Sequence, residues 1–238
     1  MTKLSIVIPS YNEDKNIIPL FEKIQNLLIK HPDLEVIIVN NGSTDNTKKN
    51  ILNSDLYINN KIKVLDIKEN IGYGHGIMSG IKIASGDFVS WCHADLQTEP
   101  EDVYNAYTKY KARLINEKIV IKGSRVNRNF FDNIFTFGMS VFASCIFQKI
   151  INDINAQPKI FSKSFIQYLN DYPNDFSLDL YLLIKAKIYN YKILKYEVIM
   201  KKRLYGEAKG GGTFFGKLKL IKRTLVYIIK LRKNIWKL

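Results

Sequence analysis

The stretch His93-Ala94-Asp95-Leu96-Gln97 places an imidazole, a carboxylate and an amide at alternate positions, directly after the apolar run Phe88-Val89-Ser90-Trp91. In an extended chain alternate side chains project to one side, so His93, Asp95 and Gln97 are expected to converge. Two oxygen donors with an imidazole suit Mn2+ or Mg2+ bridged to phosphates, which makes these three the candidate metal ligands. Taken alone, the triplet also fits a strand end carrying solvated polar residues. Zinc is excluded as the reading of Cys92 beside His93, because no second Cys-His pair exists. The stretch Gly72-Tyr73-Gly74-His75-Gly76 misses the spacing of a dinucleotide-binding loop, since Ile77 or Ser79 occupies the third glycine slot. Its glycines are expected to allow close helix–sheet packing beside a ligand pocket.

Elements able to position such a triplet alternate through the first half of the chain. Apolar runs at 4–8, 35–39, 61–67, 87–91 and 118–122 read as strands. Between them, Ile17, Leu20, Phe21, Ile24, Leu27 and Leu28 recur at helical spacing, and 44–52, 76–84 and 100–115 read as further helices, with Ser43 or Thr44 as a candidate cap. Strands alternating with helices imply a mostly parallel α/β sheet covered on both faces, and ligands bind such sheets at the carboxyl ends of strands. The polar turns after the first, second and fourth strands are therefore the places where a site is expected. The second half is less regular. Residues 130–151 read as one or two helices, 153–161 as a turn and short strand, 176–186 as a helix and 191–200 as a strand. Residues 203–212 read as a loop ending in Gly210-Gly211-Gly212, and 217–238 as a cationic helix.

The 238 residues include 36 Lys and Arg against 22 Asp and Glu, but residues 192–238 hold 14 of the former and 2 of the latter. Nearly all the excess charge thus sits on the last fifth of the chain, which points to a localised anionic partner rather than to nucleic acid. With 46% hydrophobic and 12% aromatic residues, disorder is excluded as the main description. Two cysteines and a start without a signal peptide imply a reducing compartment, and no uncharged run reaches the ~20 residues that span a bilayer.

Several further segments fall in a telling order. Val7-Ile8-Pro9-Ser10-Tyr11-Asn12-Glu13 opens the chain, Asn40-Asn41-Gly42-Ser43-Thr44-Asp45 follows the second strand, and Asn70-Ile71-Gly72 and Gly86-Asp87 precede the His93 triplet. Lys122-Gly123-Ser124-Arg125, 152–159 and 203–209 continue the series. The set resembles the family 2 glycosyltransferases of the GT-A fold, Rossmann-like in their sheet, and most closely the dolichyl-phosphate-mannose-synthase-like branch. The resemblance implies an inverting transfer of sugar from a nucleoside diphosphate sugar to a lipid-linked or glycan acceptor. It implies that Pro9, Tyr11, Glu13 and the Asn40-Asn41 turn line the nucleoside pocket, with Gly72 and Arg125 in the same donor site. Asp95 and Gln97 match the metal motif, while Arg203 and Lys209 match a mobile basic loop on the diphosphate, with Lys159 a further cation available to it. Asp179 falls where relatives place the catalytic base, although an Asp at that position also suits a helix N-terminus.

Two departures accompany the resemblance. His93 stands where the family has Asp, and Asn40-Asn41 where it has an Asp pair. Metal binding is therefore expected to be weaker than in relatives and to depend on bound nucleotide. The chain is expected to divide into a GT-A domain at 1–212, with nucleotide-sugar-binding residues 1–125 and acceptor-side residues 126–212, followed by a basic helix at 213–238. On that helix Leu218, Ile221, Leu225, Ile228, Ile229, Ile235 and Trp236 fall opposite most of the lysines, which suits an anionic membrane surface. An apolar face packed on the domain is the alternative. The expected location is cytoplasmic, peripheral at the membrane face. The rival readings are a catalytically silent GT-A scaffold and, from the overall basic charge, a nucleic-acid-binding protein.

Overall fold

The computed structural model describes residues 4–126, 138, 141, 142, 144–147, 153–206 and 214–235, with side chains of the last helix from 222 to 233. The chain runs β1 (Leu4–Ser10), α1 (Asp14–Lys30), β2 (Leu34–Asn41), α2 (Thr47–Leu52), α3 (Asp55–Ile58), β3 (Lys63–Ile67), α4 (Tyr73–Ile83), β4 (Phe88–Trp91), α5 (Pro100–Asn116) and β5 (Ile119–Val126). It continues through β6 (Lys159–Ser162), a 3-10 turn (Lys163–Tyr168), α6 (Leu178–Ile188), β7 (Lys192–Ile199) and α7 (Phe214–Ile235). The expected helix at 130–151 lies largely outside the described residues.

All seven strands form one sheet in the order β3-β2-β1-β4-β6-β5-β7. Every neighbouring pair is parallel except those made by β6, which runs antiparallel to both β4 and β5. The direction of β6 is not written in its pattern: Lys159-Ile160-Phe161 is buried on both faces, and such a run reads alike either way. The alternation of side chains divides the core. Ile6, Ile8, Val36 and Ile38 meet α1, α2, α3 and α5 on one face. Val7, Ile37, Val39, Val89 and Trp91 meet α4, α6 and α7 on the other. Gly80 lets α4 approach that second face, because a Cβ there would sit 2.5 Å from the Val7 side chain.

The glycines before it serve two close contacts. A Cβ on Gly74 would lie 2.2 Å from the Pro173 carbonyl oxygen, and one on Gly76 3.0 Å from the Asn41 side chain. Gly74 thus admits a loop, while Gly76 lets α4 close on Asn41 at the end of β2, the expected helix–sheet approach. The capping expectation at Ser43 and Thr44 is also corrected: α2 starts at Thr47, and both hydroxyls bond Asn12 instead.

The last helix docks on the body. Ile228 and Leu231 are buried in the same core as α4 and α6, and Tyr227 packs against it. Val226 and Ile229 stay exposed, as do Lys222, Lys230 and Lys233. The expected single apolar face is therefore split, Ile228 facing inward and Ile229 outward, because adjacent residues lie 100° apart on a helix. Among the described residues no helix is long and apolar enough to cross a membrane.

Candidate active site

From β1 the chain steps to β2 and β3 on one side, then returns to β4 on the other, so a crevice opens beyond the carboxyl ends of β1 and β4. A cavity of about 480 Å³ fills it. Its near wall is the turn after β1, with Pro9, Tyr11 and Glu13, and its floor is the turn after β4, with His93, Asp95 and Gln97. Asn41, Gly72 and Arg125 also line it, and Arg203 and Arg223 close the far side.

The β1 wall is held by the turn after β2. Asn12 adopts a left-handed conformation (φ 51°), its amide N–H donates to Ser43 Oγ at 3.0 Å, and its Oδ1 accepts from the Thr44 N–H at 2.8 Å. The Glu13 N–H donates to Thr47 Oγ1 at 2.7 Å. These bonds fix where Tyr11 and Glu13 stand without using the side chains that face the cavity.

On the floor, three expected ligands line the cavity for a reason other than strand alternation. Residues 93–99 form a turn, and Leu96 is left-handed at φ 58°. Asp95 Oδ1 accepts the Gln97 N–H at 3.1 Å, which brings the two side chains to the same side. Asp95 Oδ2 and Gln97 Oε1 both meet Arg203 Nη2, at 2.6 and 3.4 Å. A cation thus already sits where the two oxygens converge. That donor set fits a hard dication completing its shell with phosphate oxygens and water, the usual condition of Mg2+ at nucleotides. His93 contributes no oxygen, and among the described residues no three His, Cys, Asp or Glu form a metal cluster.

Three expectations are corrected. Asn40 does not line the cavity: it is buried and its Nδ2 donates to Asp66 Oδ1 at 2.7 Å, tying β2 to β3. With Lys48, this bond lowers the Asp66 pKa. Lys159 is fully buried behind the cavity, its Nζ 3.0 Å from Asp179 Oδ1 and 2.6 Å from the Ala156 carbonyl, so it does not reach a diphosphate. Asp179 is buried with it and is absent from the cavity wall. Burial lowers the Lys159 pKa and the carboxylate opposes that shift. Lys209 and the Gly210-Gly211-Gly212 tract lie outside the described residues.

Further residues complete the site, most of them with no role assigned from the sequence. Arg223 of α7 pairs with Asp175 at 3.0 Å across the cavity rim. Tyr73 stacks on Phe176 at 4.6 Å between centroids and bonds His93 at 3.1 Å. Gln157, 4% exposed, donates to both Tyr73 and Asp179. The sequence signal for Tyr73 was its place between two glycines and that for Gln157 its place in the 152–159 segment; none marked Arg223. Arg125 faces the cavity but is held on Asp153 through its Nε at 2.9 Å and its Nη2. Burial raises the Asp153 pKa, yet the Arg125 bonds outweigh it and the net shift is downward.

A mixed sheet with a polar crevice at its switch point, walled by a clamped β1 turn and floored by one carboxylate, has the GT-A architecture. The model of Glycosyl transferase family 2 matches residues 5–139, more than half of the sequence, and the chain belongs to that family. It is similar to the dodecaprenyl-phosphate galacturonate synthase of Rhizobium johnstonii, 28% identical over 53% of this chain and 37% of that protein. It is also similar to the undecaprenyl-phosphate 4-deoxy-4-formamido-L-arabinose transferase of Proteus mirabilis, 34% identical over 43% and 32% of the respective lengths. The matches span about a third of the length of these curated relatives. Among solved structures, glucosyl-3-phosphoglycerate synthase from Mycobacterium tuberculosis with Mn2+, UDP and glucosyl-3-phosphoglycerate superposes with a TM-score of 0.71. The match covers 97% of this chain and 80% of that one at 17% identity. The mannosyltransferase PcManGT from Pyrobaculum calidifontis with GDP-Man and Mn2+ gives 0.63 over 85% and 57%, at 18% identity. At such identities the likeness establishes the fold.

Proposed function

We propose that the chain transfers a sugar, with inversion, from a nucleoside diphosphate sugar to a phosphorylated lipid acceptor of the polyprenyl phosphate class. The observation that carries this reading is the convergence of Asp95 and Gln97 on the Arg203 guanidinium in the β1–β4 crevice. Pro9, Tyr11, Glu13 and Asn41 offer a pocket for the nucleoside, and Arg203 a cation for the diphosphate. Asp95 and Gln97 would hold Mn2+ or Mg2+, which supplies positive charge against the leaving diphosphate when bound. Binding of donor then frees Arg203 from Asp95 to face phosphate oxygens, where a guanidinium stabilises the charge that develops as the anomeric C–O bond breaks.

The acceptor oxygen forms the new bond to the anomeric carbon from the opposite face. A hydroxyl acceptor would need a base to take its proton. The carboxylates that line the cavity are each engaged: Asp95 by Arg203, Asp175 by Arg223, and Glu13 by Asn16 Nδ2 at 2.6 Å. Asp179 is held by Lys159 away from the wall. A phosphate acceptor arrives ionised and needs no base, and relatives named for polyprenyl phosphates support that choice.

In this reading residues 1–125 serve the donor and 126–212 the acceptor, while the helix from 213 lies against an anionic membrane by its outer face. Exposed Val226 and Ile229 beside Lys222, Lys230 and Lys233 support the membrane contact. Co-sedimentation with anionic vesicles should fall when the three lysines are changed to Glu; equal binding to neutral vesicles would count against the surface. The transfer assay combines purified chain, a polyprenyl phosphate and a panel of UDP-, GDP- and dTDP-sugars with and without Mn2+. One donor should yield a lipid-linked sugar with wild type and far less with Asp95→Asn. Donor binding with transfer only to water or to a glycan would overturn the acceptor assignment.

A further inference from the structure

Three guanidiniums border the cavity, those of Arg125, Arg203 and Arg223. A nucleoside diphosphate sugar and a phosphorylated acceptor bring phosphates to both sides of the anomeric carbon, so one cation does not serve both. Arg203 meets Asp95 and Gln97 and belongs with the diphosphate. Arg125 is tied down at two nitrogens, its Nε and Nη2 both on Asp153. Arg223 of α7 has no place in either arrangement.

The fold does not call for Arg223. Buried Thr224, Ile228 and Leu231 seat α7 on the body, whereas the Arg223 side chain is 50% exposed and that of its partner Asp175 32%. An ion pair so open to water contributes little to stability. Asp175 is fixed without it: Oδ1 accepts the Ser177 N–H at 2.8 Å, and the Asn174 carbonyl before it accepts the His75 N–H at 3.1 Å. A rigid carboxylate thus meets a long, exposed side chain at the cavity rim. The contact is made by Nε, 3.0 Å from Asp175 Oδ2. The Nη nitrogens, whose fork matches two oxygens of a phosphate, stand further out along the side chain.

The place of Arg223 on its helix favours the acceptor. Successive residues are 100° apart, so Arg223 stands 100° from buried Thr224 and 60° from exposed Val226, three positions on. It occupies the seam between the face docked on the body and the face turned outward. A headgroup passing from the outer surface of α7 into the cavity crosses that seam.

We propose that Arg223 binds the phosphate of the acceptor, with Asp175 as the resting partner that the phosphate displaces. The inference rests on the phosphorylated-acceptor reading above and names the residue that selects for it. A phosphate monoester brings up to two charges and three acceptor oxygens, against one charge on a carboxylate already engaged by Ser177, so it takes the guanidinium. Only hydrogen bonds are exchanged; no proton or covalent bond moves.

Calorimetry on the full chain, saturated with UDP or GDP, whichever it binds, compares geranyl phosphate with geraniol, the alcohol of the same chain. Wild type should hold the phosphate at least roughly tenfold more tightly, the worth of a charge-assisted hydrogen bond. Arg223→Gln should erase that preference and keep the affinity for the nucleotide. Arg223→Lys should restore part of it, because an ammonium keeps the charge without the fork. Asp175→Asn keeps an oxygen for Ser177 and removes the competing charge, so it should tighten the phosphate alone. The alcohol is the control for folding, since a merely structural role would weaken both ligands alike. If Asp175→Asn weakens the phosphate as Arg223→Gln does, the pair only ties α7 to the body and the proposal is overturned. A preference that survives Arg223→Gln overturns it with the acceptor reading intact, and a fall in nucleotide affinity overturns it by assigning Arg223 to the donor. A preference found for glycerol phosphate over glycerol but not for geranyl phosphate, and lost in Arg223→Gln, would keep Arg223 and overturn the lipid acceptor. No preference for either phosphate would overturn both.

Discussion

Two aspartates flank the cavity floor, and each faces a cation. Asp95 meets Arg203, whose side chain is 19% exposed and stands on a segment with few buried neighbours. Asp179 meets Lys159, whose side chain has no exposure at all. The first pair sits in an open crevice where an incoming diphosphate and dication can exchange with the guanidinium. The second is locked behind β4 and β6, where separating the charges would leave both unsolvated. The same chemical motif is thus an exchangeable site in one place and a positioning anchor in the other, and burial makes the difference.

The sharpest way to break that contrast is Asp179→Ala. Removing one partner of a buried pair strands the other, and the expected loss is about 3–5 kcal/mol in urea unfolding. If Asp179→Ala instead abolished transfer with unchanged stability, Asp179 would be the base and the contrast would fall. Asp95→Asn should do the reverse: transfer falls by ~10²-fold, of the order seen when one electrostatic group at a transition state is lost, while the unfolding midpoint barely moves.

A third test concerns Lys122, which lies in the same core with its Nζ 2.7 Å from the Asp153 carbonyl. Burial, helped by nearby Lys159, lowers its pKa from 10.5 to about 7. The unfolded chain therefore binds more protons between those values, so stability should rise with pH across that window, by up to about 1.4 kcal/mol per unit. Lys122→Met should reduce the slope. A wild-type stability that is flat or falling through the window would show that this core tolerates charge as readily as the crevice does.

Much of the site was legible because chemistry and order survive in one dimension. Pro9, Tyr11, Glu13, Asn41, Gly72, Arg125 and Arg203 all border the cavity that their segments implied. The turn at 93–97 was also legible, although its geometry comes from an Asx bond and a left-handed Leu96 rather than from strand alternation. Lys159 was misplaced because its side chain turns into the core onto Asp179 and the Ala156 carbonyl, and Asn40 because of strand alternation. Asn40 stands next to the cavity residue Asn41, and a shift of one position in a strand sends a side chain to the opposite face. Asn40 thus turns to Asp66 while Asn41 turns to the Gly72 carbonyl at 3.0 Å.

The sequence by itself determined the sheet-and-helix alternation, the family and the crevice at the strand ends, because these follow from hydrophobic period and from motifs in fixed order. Only the tertiary structure decided which cation meets which aspartate, that α7 is docked through Ile228 and Leu231 while it presents Ile229 outward, and that Tyr73 and Gln157 join His93 to the core. Those contacts link residues up to 108 positions apart. Their energies depend on burial and direction, which exist only once the chain has closed on itself.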